Sequence, residues 1–210
     1  MIDLPGSTRV DRRLPKEAFY KHLSISAALK AKFVSDIDRI TIKNSLTKEN
    51  LNLVDDTDIK EILVLSIELK EKDFDKKIVE AIARQNPHKL LFLLRYEDQV
   101  QCVIYHSKLY CSKWMSEEEL ALTLKGNSLN EIWDDLIQQV AIHNENVAKM
   151  NQISVNEELK LQDRIEQLIK NIEKTKKAVW KEKQPKKKFK LYQDLQAYSK
   201  ELKELTDGQA

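Results

Sequence analysis

A chain of 210 residues has room for one domain with an appendage, or for two small domains. Hydrophobic residues make up 41% and charged residues 33%, while only three glycines and four prolines argue against long flexible linkers or an all-β fold with many tight turns. The net charge is +2, but residues 170–190 carry ten basic against two acidic side chains, so a basic segment sits on an otherwise balanced chain.

No apolar run approaches the length of a membrane span, and the N-terminus has no apolar signal segment. Cys102 and Cys111 have no CxxC spacing, which points to a reduced, cytoplasmic chain. Residues 1–15, with Arg9, Arg12 and Arg13 between two prolines, read as an extended arm. "PKEAFYKHL" opens a short helix with Pro15 near its first turn. A second helix follows, capped by Ser24 or Ser26, with Leu29, Phe33 and Ile37 on one face.

"RITIKNSLT" alternates as a strand, 48–58 is an Asn- and Asp-rich loop, and a strand follows over about 60–70. That strand has one apolar face, Leu63, Leu65, Ile67 and Leu69. The other face, Ile62, Val64, Ser66, Glu68 and Lys70, turns polar towards its end. "DFDKKIVEAIARQN" predicts an amphipathic helix capped by Asp73 and ended by Pro87. "HKLLFLLRY" has the unbroken apolar run of a central strand covered on both faces. "QVQCVIYHS", "KLYCSKWM" and "ELALTLKG" supply further strands, and Ser128 with Glu131 forms a capping box that starts a helix.

These elements predict an α+β domain over 16–145, a mixed sheet with helices packed on it, with a restriction-endonuclease-like arrangement as one option. In the remainder, 146–210, apolar residues at Leu161, Ile165, Leu168, Ile172 and Val179, then Leu191, Leu195, Tyr198, Leu202 and Leu205, alternate in steps of four and three. Two such seams around "KEKQPKKKFK" predict an antiparallel coiled-coil hairpin with a basic turn near Pro185.

Glu68-x-Lys70 at a strand end is the first candidate site. In metal-dependent nucleases such a Glu binds Mg²⁺, the Lys steadies the attacking water or the phosphate charge, and a second carboxylate completes the site. Asp58 lies roughly 33 Å away along a continuous strand, so the second ligand is expected to be Asp38, or Asp36, from an antiparallel neighbour. The same pair also suits a strand that merely solvates its end, and then no cofactor is needed.

The basic segment is the second candidate. Lys177, Lys181, Lys183, Lys186, Lys187, Lys188 and Lys190 surround Trp180, Phe189 and Tyr192. Lysines suit phosphates and the rings suit bases or a partner protein, whereas lysine without arginine reads little sequence. A solvated hairpin tip is the plainer reading. The arm cations, Arg9, Arg12, Arg13 and Lys16, are a third nucleic-acid or partner surface, with a disordered leader as the plainer reading. The four histidines have no metal-ligand spacing, and no nucleotide-binding loop or nucleophile elbow is present.

Taken together, "LPGSTRVDRRLPKEAFYKHL", "DIDRITIKNSLTKENLNL", "ILVLSIELK", "NPHKLLFLLRY" and "KEKQPKKKFKLYQDL" resemble an uncharacterised bacterial and archaeal family, a domain of unknown function. Its members are typically encoded beside a superfamily-2 helicase and a site-specific DNA methyltransferase in restriction or antiphage-defence clusters. The resemblance covers nearly the whole chain. It is looser at "QPKKKF", where a more aromatic, arginine-containing turn is expected. It implies an accessory subunit that docks a helicase or methyltransferase and contacts DNA nonspecifically through the basic tip. The alternatives are a Mg²⁺-dependent nuclease using Asp38, Glu68 and Lys70, and an oligomerising scaffold, paired through the coiled coil, that binds no nucleic acid.

Overall fold

The computed structural model describes residues 4–53, 58–142 and 154–207. Residues 54–57 of the Asn- and Asp-rich loop, and His143 among the four histidines, lie outside the described residues. The chain divides into two compact units, Met1–Ala141 and Ile142–Ala210.

The first unit is built on a mixed sheet in the order β1 to β6: β1 (Arg9–Leu14), β2 (Ile37–Leu46), β3 (Ile62–Leu69), β4 (Lys89–Tyr96), β5 (Gln99–His106) and β6 (Lys108–Cys111). All neighbours are antiparallel except β3 and β4, which run parallel and are joined through a helix. A two-residue strand, β7 (Met115–Ser116), pairs with the start of β5. The helices are α1 (Lys16–His22), α2 (Ala27–Asp36), the single turn α3 (Lys48–Leu51), α4 (Lys77–Gln85) and α5 (Leu129–Ala141).

Alternation along the central strands gives the sheet two apolar faces. Ile40, Ile42, Leu65, Ile67, Phe92, Leu94 and Val103 form one core with Phe33 of α2 and Ile78, Val79 and Ile82 of α4. Phe33 is fully buried and meets the rings of Phe19 and Tyr20 at centroid distances of 6.4 and 5.9 Å. Val64, Leu91, Leu93, Cys102 and Ile104 are buried on the opposite face, which α5 packs against at β5 and β6. Both faces of β4 are therefore covered, as its unbroken apolar run requires.

Several local expectations change. The arm is in part a strand: Arg9–Leu14 pairs with β2, because edge pairing satisfies backbone groups that an extended leader would leave to solvent. The loop after β2 contains α3, nucleated by a reciprocal capping box between Thr47 and Asn50. Helix α4 starts later than expected, and Asp75 rather than Asp73 accepts the Lys77 amide at its start. "ELALTLKG" forms no strand; the backbone N–H and carbonyl of Thr123 bond to the Gln139 side chain of α5, which replaces a strand partner. "KLYCSKWM" splits into β6 and β7, since Ser112 turns back onto Cys102 through Ser112 N–H to the Cys102 carbonyl and Cys102 N–H to Ser112 Oγ.

Among its described residues, the second unit holds two helices, α6 (Val155–Lys181) and α7 (Pro185–Asp207). Ser154 and Glu157 form the capping box of α6, and Pro185 occupies the first position of α7. Only three residues join the helices, and Arg164 Nε donates to Glu201 Oε1 at 2.7 Å. These two residues are nearly equidistant from the turn, which makes the pair antiparallel. Ile165, Leu168, Ile172 and Val179 are buried, while Leu191, Leu195, Tyr198, Leu202 and Leu205 are half-buried. Among the described residues, no helix is long and apolar enough to cross a membrane.

Candidate functional sites

The end of β3 is positioned by its two neighbours. Arg39 of β2 pairs with Glu68, and Glu68 pairs with Arg95 of β4. Directly paired residues share a face, so Arg39, Glu68 and Arg95 form a charged row across three strands. The register of β2 shifts between Ile37, opposite Leu69, and Arg39, opposite Glu68. Asp38 is thus the extra residue of a bulge, a device that re-aims side chains at a sheet end. One guanidinium nitrogen of Arg39 lies 3.9 Å from Asp38 Oδ2 and 3.6 Å from Glu68 Oε2. The two carboxylates flank a single cation.

Asp38, Glu68, Lys70, Arg95 and Glu97 line one open cavity of about 550 Å³. The structure therefore brings together the three residues the sequence singled out. Lys70, however, lies beyond the last residue of β3. Its Nζ donates to the Val34 carbonyl at 3.3 Å, and its backbone N–H donates to the Asp36 carbonyl at 2.8 Å. Both acceptors belong to the last turn of α2, where a cation complements the helix dipole. Asp36 accepts from Ser35 Oγ and from the Asp75 amide. Asp58 lies near Asn130, before the start of β3 and so at the opposite end of that strand from Glu68. Among the described residues, no group of three or more His, Cys, Asp or Glu is arranged to hold a metal ion.

Arg95, Arg39 and Glu97 were not legible as site residues. Arg95 closes an apolar strand, donates from Nε to Ser66 Oγ at 3.0 Å and pairs with Glu117. Burial lowers its proton affinity, and Glu68 opposite partly restores it. It also lines a second cavity of about 430 Å³, with Lys43, Asn44, Glu117 and Glu118. Glu97 sits at a positive φ of 53° in the β4–β5 turn. Only the parallel β3–β4 register, a long-range fact, brings Arg95 beside Glu68.

The hairpin tip is the other candidate. Trp180, in the last turn of α6, is 90% exposed, and Phe189 and Tyr192 of α7 are 65% and 48% exposed. Lys177, Lys181, Lys183, Lys186, Lys187 and Lys190 are exposed around them, and Lys188 is half-buried. In the first unit, Arg9 pairs with Asp11, which also accepts from Lys43 at 3.0 Å; these two cations hold its carboxyl below the usual range, that of Lys43 most strongly. Arg12 and Arg13 stand exposed on the edge strand β1.

Residues 2–202 match the family described as Domain of unknown function (DUF4391). The chain belongs to that family. No curated protein and no solved structure matches it.

Proposed function

We propose that this member of DUF4391 is an accessory, nucleic-acid-engaging subunit of a restriction or antiphage-defence complex. Its sheet domain docks a helicase or DNA methyltransferase subunit, and its basic hairpin tip holds the nucleic-acid backbone. The partner class rests on the family resemblance described above. The contact rests on one observation: Trp180, the largest apolar side chain at the tip, is left 90% exposed among lysines. A chain gains nothing in its own stability from such an arrangement, whereas a polyanion with apolar base faces satisfies both the rings and the ammonium groups. Fluorescence anisotropy with labelled DNA between about 50 and 200 mM salt tests it. Affinity is expected to fall steeply with salt and to be lost on charge reversal at Lys186 and Lys187. Absence of binding at the lowest salt leaves the oligomerising scaffold as the better reading.

A second reading, a Mg²⁺-dependent nuclease on a restriction-endonuclease-like sheet, is favoured by the bulge that sets Asp38 on the wall of the cavity it shares with Glu68 and Lys70. In that reading Asp38 and Glu68 ligate the cation and Lys70 steadies the phosphate charge. Its test is DNA cleavage with Mg²⁺, lost in Glu68→Ala and in Asp38→Ala.

A further inference from the structure

The rings at the tip fall on one row. Each follows a seam residue by one position: Trp180 follows Val179, Tyr192 follows Leu191, and Phe189 follows Lys188, which extends the α7 seam by one step towards the turn. In an antiparallel pair, positions that follow the seam by one in both helices face the same side. Arg164 and Glu201 check this from the other side. Each precedes a seam residue by one, and the two touch, with Arg164 Nε 2.7 Å from Glu201 Oε1. Positions before the seam thus share one face of the hairpin, and positions after it share the other. Trp180, Phe189 and Tyr192 therefore form a single exposed aromatic face.

The Arg164–Glu201 register sets Trp180 level with the start of α7. At the helical rise, Phe189 then lies about 6 Å and Tyr192 about 10 Å further along the axis. These steps are wider than the ~3.4 Å rise between stacked bases of a duplex strand. In a duplex, moreover, base faces are covered by their neighbours. A single strand can splay its bases and set one on each ring, with its phosphates on the surrounding lysines. Between Lys176 and Lys190 the chain has eight lysines and one acid, Glu182. The centres of protein–protein interfaces are depleted of lysine, so this composition favours a polyanion over a protein partner.

We propose that the aromatic face formed by Trp180, Phe189 and Tyr192 at the basic hairpin tip is a stacking platform for single-stranded nucleic acid. This deepens the proposed nucleic-acid contact and rests on it. Binding is sequence-tolerant, because every base offers a face to stack and lysine without arginine reads little sequence.

The test uses the full-length chain with a fluorescein-labelled oligothymidylate of about ten nucleotides and a duplex of equal length. The single strand is expected to bind about tenfold more tightly. Trp180→Ala is expected to weaken single-strand binding about tenfold, the loss of one base stack, and to leave duplex binding unchanged, while Trp180→Phe restores most of the loss. The fluorescence difference between wild type and Trp180→Phe, which isolates this ring from Trp114 and Trp133, is expected to be quenched by oligothymidylate. Equal affinity for both probes with no effect of Trp180→Ala overturns the stacking platform while the lysine contact stands. Binding of neither probe overturns both. Circular dichroism of Trp180→Ala, expected to match wild type, separates loss of stacking from loss of fold.

Discussion

Gly126 offers a sharp test of how α5 is seated. Its φ of +138° lies where side chains are rarely tolerated, and an added Cβ would meet Glu131 Cβ at 2.6 Å and Ile132 N at 2.9 Å. Both atoms belong to the first turn of α5, the helix that buries Ile132, Trp133, Leu136, Ile137 and Val140. Gly126→Ala therefore combines backbone strain of about 1–3 kcal/mol with an overlap relieved only by lifting that turn. A total near 3 kcal/mol is a large share of the ~5–15 kcal/mol of a whole domain. At about 4 °C per kcal/mol for a unit of this size, the melting temperature falls by about 12 °C. Urea unfolding and calorimetry give the free energy and the temperature shift. Glu131→Ala should not rescue the variant, because the nearest contact is the Cβ that alanine retains. Gly6, with open space around its added Cβ and no positive φ, is the control. Gly6→Ala is expected within about 1 kcal/mol of wild type. A Gly126→Ala protein within about 0.5 kcal/mol of wild type would refute this account of the α5 start.

Phe33→Ala removes a fully buried ring and is expected to cost about 3–5 kcal/mol in urea unfolding. Burial, the largest cause, pushes the Cys102 thiol up to about 12, from 9.0 in an exposed cysteine. The folded chain keeps this proton where the unfolded chain releases it, so stability falls as pH rises between about 9 and 12, by about 1.4 kcal/mol per pH unit. The difference in unfolding free energy between wild type and Cys102→Ala should show that slope, and a flat difference argues against the buried thiol. At pH 8, a thiol reagent should label half-buried Cys111 and spare Cys102 in the folded protein. Arg95→Met removes the guanidinium from which Ser66 Oγ accepts and with which Glu117 pairs. It is expected to cost about 1–3 kcal/mol and to raise amide exchange around residue 117.

Periodicity made much of the fold legible. The two faces of β3, the buried run of β4, the capping box before α5 and the two seams of the hairpin follow from apolar spacing and cap residues, and those are local facts. Failures arose where a side chain replaced a backbone partner. Gln139 takes the Thr123 backbone out of any strand, and Ser112 Oγ takes the Cys102 amide between two short strands that both pair with β5. Neither exchange leaves a mark on hydrophobic periodicity. The candidate site divides the same way. Glu68 and Lys70 could be named because two residues on one strand share a face. Arg39 and Arg95 could not, because their place beside Glu68 depends on strand registers, one of them altered by a bulge.

The charges at the end of β3 also show why a motif and a fold requirement are hard to tell apart. Lys70 serves the end of α2 through Val34, and Glu68 sits in register between two arginines. A domain that binds no metal has use for both. Nor does Arg39 shut a cation out. It and the carboxylates it bridges are each more than a third exposed, and exposed pairs of this kind contribute at most about 1 kcal/mol. A hard divalent ion would exchange that weak contact for anionic oxygens. What separates the catalytic reading from the structural one is a third oxygen donor. Among the described residues no three carboxylates are arranged to hold an ion, so Glu97, on the same cavity wall, completes a site only by moving in, and a substrate phosphate is the other donor. Mg²⁺ binding that appears only when DNA is present would identify the phosphate as that donor. Mg²⁺ binding by the protein alone, abolished in Glu97→Gln, would identify the carboxylate. Binding in neither case would leave Glu68 and Lys70 with their structural duties alone.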